Sequence, residues 1–162
     1  MTKILFVCHG NICRSVAAEM VLKQMTREQG RKDLVIASAA ATREEIGNDI
    51  YPPMKRALQE AGYTCEHHAA RQMTRADYEK WDYIIGMDDE NMWDMKYLYG
   101  SDPDGKLSLL MDWAGHCGQE IDDPWYTRDF RGALAQIEEG CRGILCTLRA
   151  KDKDTKEEEE TT

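Results

Sequence analysis

Cys8-His9-Gly10-Asn11-Ile12-Cys13-Arg14-Ser15, preceded by Ile4-Leu5-Phe6-Val7, is the stretch that decides how this chain is read. The apolar run predicts a strand and the residues after Ser15 predict a helix, so the eight residues form a tight strand-to-helix loop. Such a loop turns its amide N–H groups and the helix N-terminus inward, where their partial positive charge holds an anion. Arg14 adds a planar fork of donors. A tetrahedral oxyanion therefore fits between Cys8 and Arg14. The same field favours the thiolate of Cys8, the nucleophilic form of cysteine. A strand-end cysteine that merely fills the core, followed by a solvated arginine, is the bland alternative. Gly10 and Asn11 inside the loop, and Ser15 placed to cap the helix, argue against it.

Working outward, 162 residues with 42% hydrophobic and 31% charged side chains fit one globular domain. The domain is expected over residues 1–149, with an acidic tail over 150–162. Lys151 to Thr162 carries three lysines against six acids and no apolar residue, so it is expected to be disordered and solvated. The net charge of −9 argues against nucleic acid as a partner. It would also repel a phosphorylated ligand at long range, so a local basic pocket must win at contact. No apolar run approaches the ~18 residues of a membrane span. Ile4 to Val7 is too short for a signal-peptide core, and a cytoplasmic location without membrane association is the expectation.

Six cysteines without a secretory signal read as free thiols. Cys141 and Cys146 read as core fillers of one amphipathic helix. There is no Cys-x2-Cys pair, and His67-His68 has no companion at ligand spacing, so no metal is expected.

Apolar runs of strand length recur at Ile4–Val7, Leu34–Ala37, Tyr83–Met87 and Leu107–Met111, each separated by helical patterns. This is the pattern of buried parallel strands with helical crossovers. Helices are expected over Ser15–Glu28, from Pro52 to a stop at Gly62, from Thr74, after a cap at Asp88, and over Asp129–Leu148. The fold class is α/β: a three-layer α/β/α sandwich with a central four-stranded parallel sheet and its ligand beyond the strand ends.

Asp122-Asp123-Pro124-Trp125-Tyr126 falls in a loop before the last helix. Asp123 can supply the proton that a leaving oxygen needs, while Trp125 and Tyr126 offer flat surface to an aromatic ring; taken alone the segment reads first as a turn with a solvated Asp pair, and only the Cys8 loop reverses that reading. With this late Asp-Pro-Trp-Tyr, the loop Cys-His-Gly-Asn-Ile-Cys-Arg-Ser resembles that of the low-molecular-weight protein tyrosine phosphatase family. Ser38-Ala39-Ala40, Ala70-Arg71-Gln72-Met73 and Asp82 to Asp88 match the family in order and spacing. The resemblance implies a metal-independent phosphatase that uses no cofactor. It takes phosphotyrosine proteins as substrates and releases inorganic phosphate. Cys8 would be the nucleophile, Arg14 the phosphate clamp and Asp123 the general acid and then base. His9, Gly10 and Ile12 would complete the phosphate loop. Asn11 would hold the loop in shape, Ser15 would stabilise the Cys8 thiolate, and Ser38 and His68 would support Asn11, with His67 an alternative. Cys13 would form a reversible disulfide with Cys8. A monomer is the expectation.

The chain departs from the family where Val16 replaces a usual proline. It departs again near Glu44 and Glu45, where many relatives carry an aromatic wall. These acids, with Trp125 and Tyr126, are expected at the substrate mouth, disfavouring acidic peptide flanks. Three alternatives share the fold. Protein-arginine phosphatases resemble the same loop with Thr in place of Ile12. Thioredoxin-coupled arsenate reductases need a further cysteine pair, yet Gly86 to Tyr99 has no Cys. A binding-only relative would be expected to lose Cys8 or Asp123, and both are present.

Overall fold

Ile4, Leu5, Phe6 and Val7 are all completely buried, because their strand is covered on both faces. The structure, a computed structural model, describes the backbone of residues 1–160 and the side chains of residues 1–149. In chain order the elements are β1 (Thr2–Cys8), α1 (Arg14–Glu28), β2 (Leu34–Ala40), α2 (Pro52–Glu60), α3 (Ala76–Lys80), β3 (Tyr83–Gly86), α4 (Asp89–Tyr99), β4 (Leu107–Leu109), α5 (Leu110–Trp113), α6 (Pro124–Thr127) and α7 (Phe130–Glu160). The four strands are parallel in the order β2-β1-β3-β4. Side chains alternate across β1: Ile4 and Phe6 join α1, α2 and α7, whereas Leu5 and Val7 join Tyr78, Trp81 and Met95 on the side of α3 and α4. Each such side chain removed from water contributes about 1.5–3 kcal/mol. This is the three-layer sandwich that the four apolar runs predicted.

The strand order places the site. The chain leaves β1 for β2 on one side and returns to β3 on the other, so a crevice opens beyond the carboxyl ends of β1 and β3. The Cys8–Ser15 loop lies at that crevice.

Local differences from the sequence reading have identifiable causes. Leu110 and Met111 leave β4 and open α5, where Asp112 accepts the Leu109 N–H at 3.0 Å. A short apolar run serves a strand or a buried helical turn equally well, so hydrophobicity alone could not divide it. Asp123-Pro124 starts the one-turn helix α6 instead of a plain loop, with the Asp123 side chain accepting the Trp125 N–H at 3.0 Å. Gly62, at φ 89°, ends the α2 region as expected, letting the Tyr63 N–H reach back to Leu58 O at 2.9 Å. Cys141 is fully buried in α7, but Cys146 is exposed on its outer face. The α7 backbone continues to Glu160, past the break expected at residue 150. Side chains from 150 onward and residues 161–162 lie outside the described residues, and the expectation of an acidic tail falls on them.

Close approach of α5 to α7 depends on two glycines. A Cβ at Gly140 would sit 2.5 Å from Leu110 Cγ, and one at Gly143 would collide with the Trp113 carbonyl oxygen, a backbone atom. Gly143→Ala should therefore destabilise the fold by about 2 kcal/mol through overpacking, despite the better helix propensity of alanine. Urea unfolding reads this directly; an unchanged midpoint would mean that the two helices do not touch at that turn.

Candidate active site

Strand β1 delivers Cys8 to the mouth of the crevice, and the loop folds back so that α1 begins at Arg14. Asn11 makes this turn possible. It is completely buried at φ 59°, a conformation that asparagine tolerates better than most residues. Its side chain is held at both ends: Nδ2 donates to Ser15 Oγ at 2.8 Å, and Oδ1 accepts the Arg71 N–H at 3.3 Å. Its carbonyl accepts from His68 Nε2 at 2.6 Å, which requires the proton on that nitrogen. His68 is buried and His67 exposed, so the structure chooses between the two histidines. Ser38 does not reach Asn11. Its hydroxyl donates to Glu19 Oε1 at 2.5 Å, tying β2 to α1 one layer below the loop.

Ser15 is not the cap that its position suggested. It lies inside the first turn of α1, Cys13 stands at the cap position, and no side chain caps the helix. Its hydroxyl lies 3.0 Å from Cys8 Sγ, and its N–H donates to Sγ at 3.4 Å. Because Asn11 already donates to Ser15 Oγ, the hydroxyl proton is free to turn toward a sulfur anion. The uncapped N–H groups of the first turn are the orphan donors that an anion satisfies.

Arg14 is 2% exposed. Its Nη1 donates to Asp88 Oδ2 at 2.7 Å and to the Ile121 carbonyl at 2.8 Å, and Nη2 lies 3.4 Å from Asp123 Oδ2. With Nη1 committed, Nη2 and Nε carry the donors left for a bound anion. Burial by itself would lower the Arg14 pKa, but Cys8, Asp88 and Asp123 outweigh it and hold it above its ordinary value. Asp88 was expected only as a helix cap. It does cap α4, accepting the Asn91 N–H at 2.8 Å on one oxygen, while the other holds Arg14. A buried arginine at a helix start demands an acid partner, and that requirement was the available signal.

Cys8, Arg14 and Asp123 line one cavity of about 180 Å³. Gly10, Ile12 and Cys13 form further parts of its lining. Burial, and then the charges of Cys8 and Asp123, push the Cys13 thiol well above its usual range. Glu44 and Glu45 both reach the rim. Glu44 Oε2 lies 3.0 Å from His9 Nε2, with Glu90 3.7 Å from the other ring nitrogen. Glu45 accepts from Asn48 Nδ2 at 2.6 Å and covers Gly10. Trp125 and the mostly exposed Tyr126 complete the mouth.

Tyr51 was missed. It precedes α2, lines the cavity, and sets its ring 5.0 Å from that of Trp125, so the two make one aromatic wall. Its N–H donates to Ile12 O at 2.8 Å, fastening the wall to the Cys8–Ser15 loop. An aromatic residue directly before Pro52-Pro53 was visible in the sequence, but its reach to the site depends on how the 41–50 loop folds.

A family model described as low molecular weight phosphotyrosine protein phosphatase matches residues 3–155. Over 151 residues the chain is 30% identical to the low molecular weight protein-tyrosine-phosphatase YfkJ of Bacillus subtilis, covering 92% of this chain and 97% of that one. It is 37% identical over 150 residues to a low molecular weight phosphotyrosine protein phosphatase of Gallus gallus, covering 88% and 92%. The crystal structure of YfkJ aligns with a TM-score of 0.89 at 29% identity, covering 93% and 96%. The crystal structure of DARP, a drosophila arginine phosphatase, aligns at 0.82 and 27% identity, covering 91% and 98%. Likeness that runs through all four strands and the loops at their carboxyl ends admits one assignment: this chain belongs to the low molecular weight phosphotyrosine protein phosphatase family.

Proposed function

We propose that the chain hydrolyses phosphotyrosine in proteins through two displacements at phosphorus. The reading is carried by one observation: Cys8, the buried guanidinium of Arg14 and the Asp123 carboxyl group line the same cavity. The Cys8 thiolate attacks phosphorus while the bond to the tyrosyl oxygen breaks and Asp123 gives that oxygen its proton. A cysteinyl-phosphate and the dephosphorylated tyrosine residue of the substrate protein result. Asp123 then takes a proton from water, whose oxygen attacks phosphorus; the phosphorus–sulfur bond breaks, and inorganic phosphate leaves. Arg14 and the loop amides meet the charge on the equatorial oxygens in both steps. The chemistry calls on no metal. The wall of Tyr51 and Trp125 offers a face on which the substrate phenyl ring stacks.

A protein-arginine phosphatase is the second reading, favoured by the structural likeness to DARP. Ile12 weighs against it, being bulkier and more apolar than the threonine expected there. Phosphotyrosine peptides should be hydrolysed in the presence of EDTA, activity should vanish in Cys8→Ser, and it should fall about 100-fold or more in Asp123→Ala. Phosphoarginine peptides should be poor substrates until Ile12→Thr. Release of phosphate by Cys8→Ser at the parent rate would sink the mechanism.

The surroundings are acidic: Glu44 and Glu45 line the cavity, and Glu90, Glu120 and Asp122 line a neighbouring one that shares His9, Arg14, Asp123 and Tyr126 with it. Basic flanks on the substrate peptide are therefore favoured over acidic ones. The preference should shrink several-fold in Glu44→Ala or Glu45→Ala and with added salt. Equal kcat/KM for acidic and basic phosphopeptides would remove the idea.

Among the described residues no helix is long and apolar enough to cross a membrane. All six cysteines are free, which fits a monomer working in the reducing cytoplasm. Cys13 shares the loop with Cys8, supporting a disulfide that forms when peroxide converts Cys8 to its sulfenic acid and Cys13 displaces water from it. Inactivation by peroxide should be reversed by a thiol in the parent and become irreversible in Cys13→Ser; equal recovery of both would exclude the switch.

A further inference from the structure

Arg128 has a backbone that its residue type does not favour. With Asn11 it is one of two non-glycine residues at positive φ among the described residues, and its value is 61°. It ends α6, its N–H donating to Pro124 O at 2.8 Å, while Asp123 caps the other end of the same turn. A helix of four residues has almost no stability of its own, so its place over the cavity is set by what holds it from outside. The contacts converge on Tyr51. The Trp125 ring lies against it, the Arg128 guanidinium stands 5.6 Å over its ring, and Arg128 Nη1 donates to its hydroxyl at 3.1 Å. The guanidinium also stands 5.1 Å over Phe130, the first residue of α7. Tyr51 in turn is bonded through its N–H to Ile12 O in the phosphate loop.

We infer that Arg128 and Tyr51 form a latch holding the Asp123 turn against the phosphate loop, and that Arg128 is a positioning residue for proton transfer to the leaving group. Glycine would relieve the backbone at this position. The contacts that only the arginine side chain makes offset that cost. Asp123 and Arg128 are the two caps of one short turn, so a side chain clamped at one end restricts where the carboxyl group at the other can go. Arg128 is exposed and is not part of the cavity lining, so it acts through the turn and the aromatic wall that it braces.

The inference rests on Asp123 being the general acid, and the experiment separates the two. Aryl phosphates whose leaving phenols span a range of pKa are compared by kcat/KM, which reports the steps through cleavage of the ester bond. Without a well-placed acid, poor leaving groups suffer most. In Arg128→Gly, kcat/KM should fall about tenfold for a leaving group as basic as tyrosine (pKa about 10) and less than about twofold for a nitrophenol. The melting temperature should stay level or rise as the backbone relaxes. Tyr51→Phe, which keeps the ring but loses the hydroxyl, should steepen the leaving-group dependence less. Arg128→Lys should recover little, since an ammonium cannot reproduce the flat stack and fork. Asp123→Ala provides the reference: if it leaves the dependence unchanged, the general-acid reading itself fails. If it steepens the dependence while Arg128→Gly leaves it unchanged, or lowers every substrate equally, the latch is refuted.

Discussion

Arg14 carries a positive charge with almost no access to water, and the site is organised around keeping it there. A buried cation without a partner costs several kcal/mol, and breaking such a pair costs about 3–5 kcal/mol. Asp88 and the Ile121 carbonyl meet that cost on one nitrogen, at 2.7 and 2.8 Å. The guanidinium is thereby fixed in place before any ligand arrives, with donors left over for an oxyanion. Asp88 comes from the end of β3 and Ile121 from the segment leading to Asp123, so one side chain draws three separate parts of the chain onto a single point. The same contacts bring Asp123 Oδ2 to 3.4 Å of Arg14 Nη2.

A protein of net charge −9 that holds a phosphate dianion works against its own field. The conflict is eased by screening. Glu44 and Glu90 stand exposed at the rim, where water and salt weaken their field. Arg14 is buried, so its charge is screened far less.

Much of this was legible in the sequence because its causes are local. Ile4 to Val7 had to be a strand covered on both faces, and the run from Phe130 to Leu148 had to be a helix with a buried stripe. Asn11 inside a tight loop was expected from the resemblance to hold it in shape; its φ of 59° and its side-chain bonds to Ser15 and Arg71 are how it sits there. The errors fall where one residue type serves two structures. Serine caps many helices, yet here the hydroxyl of Ser15 lies beside a sulfur. Ser38 bonds Glu19 and not Asn11, because the direction of a short hydroxyl depends on which neighbour the sheet register brings within about 3 Å.

The sequence by itself determined the sheet and the anion-holding loop with Cys8 and Arg14, since those follow from hydrophobic period, backbone freedom and side-chain chemistry within a few residues; Asp123 entered through the resemblance of the whole pattern to a family. Only the tertiary structure decided that Asp88 anchors Arg14, that His68 rather than His67 supports Asn11, and that Tyr51 and Arg128 brace the Asp123 turn. Each of these pairs residues separated by 57 to 77 positions in the chain. Their meeting depends on how helices cross the sheet, and no local preference encodes that geometry.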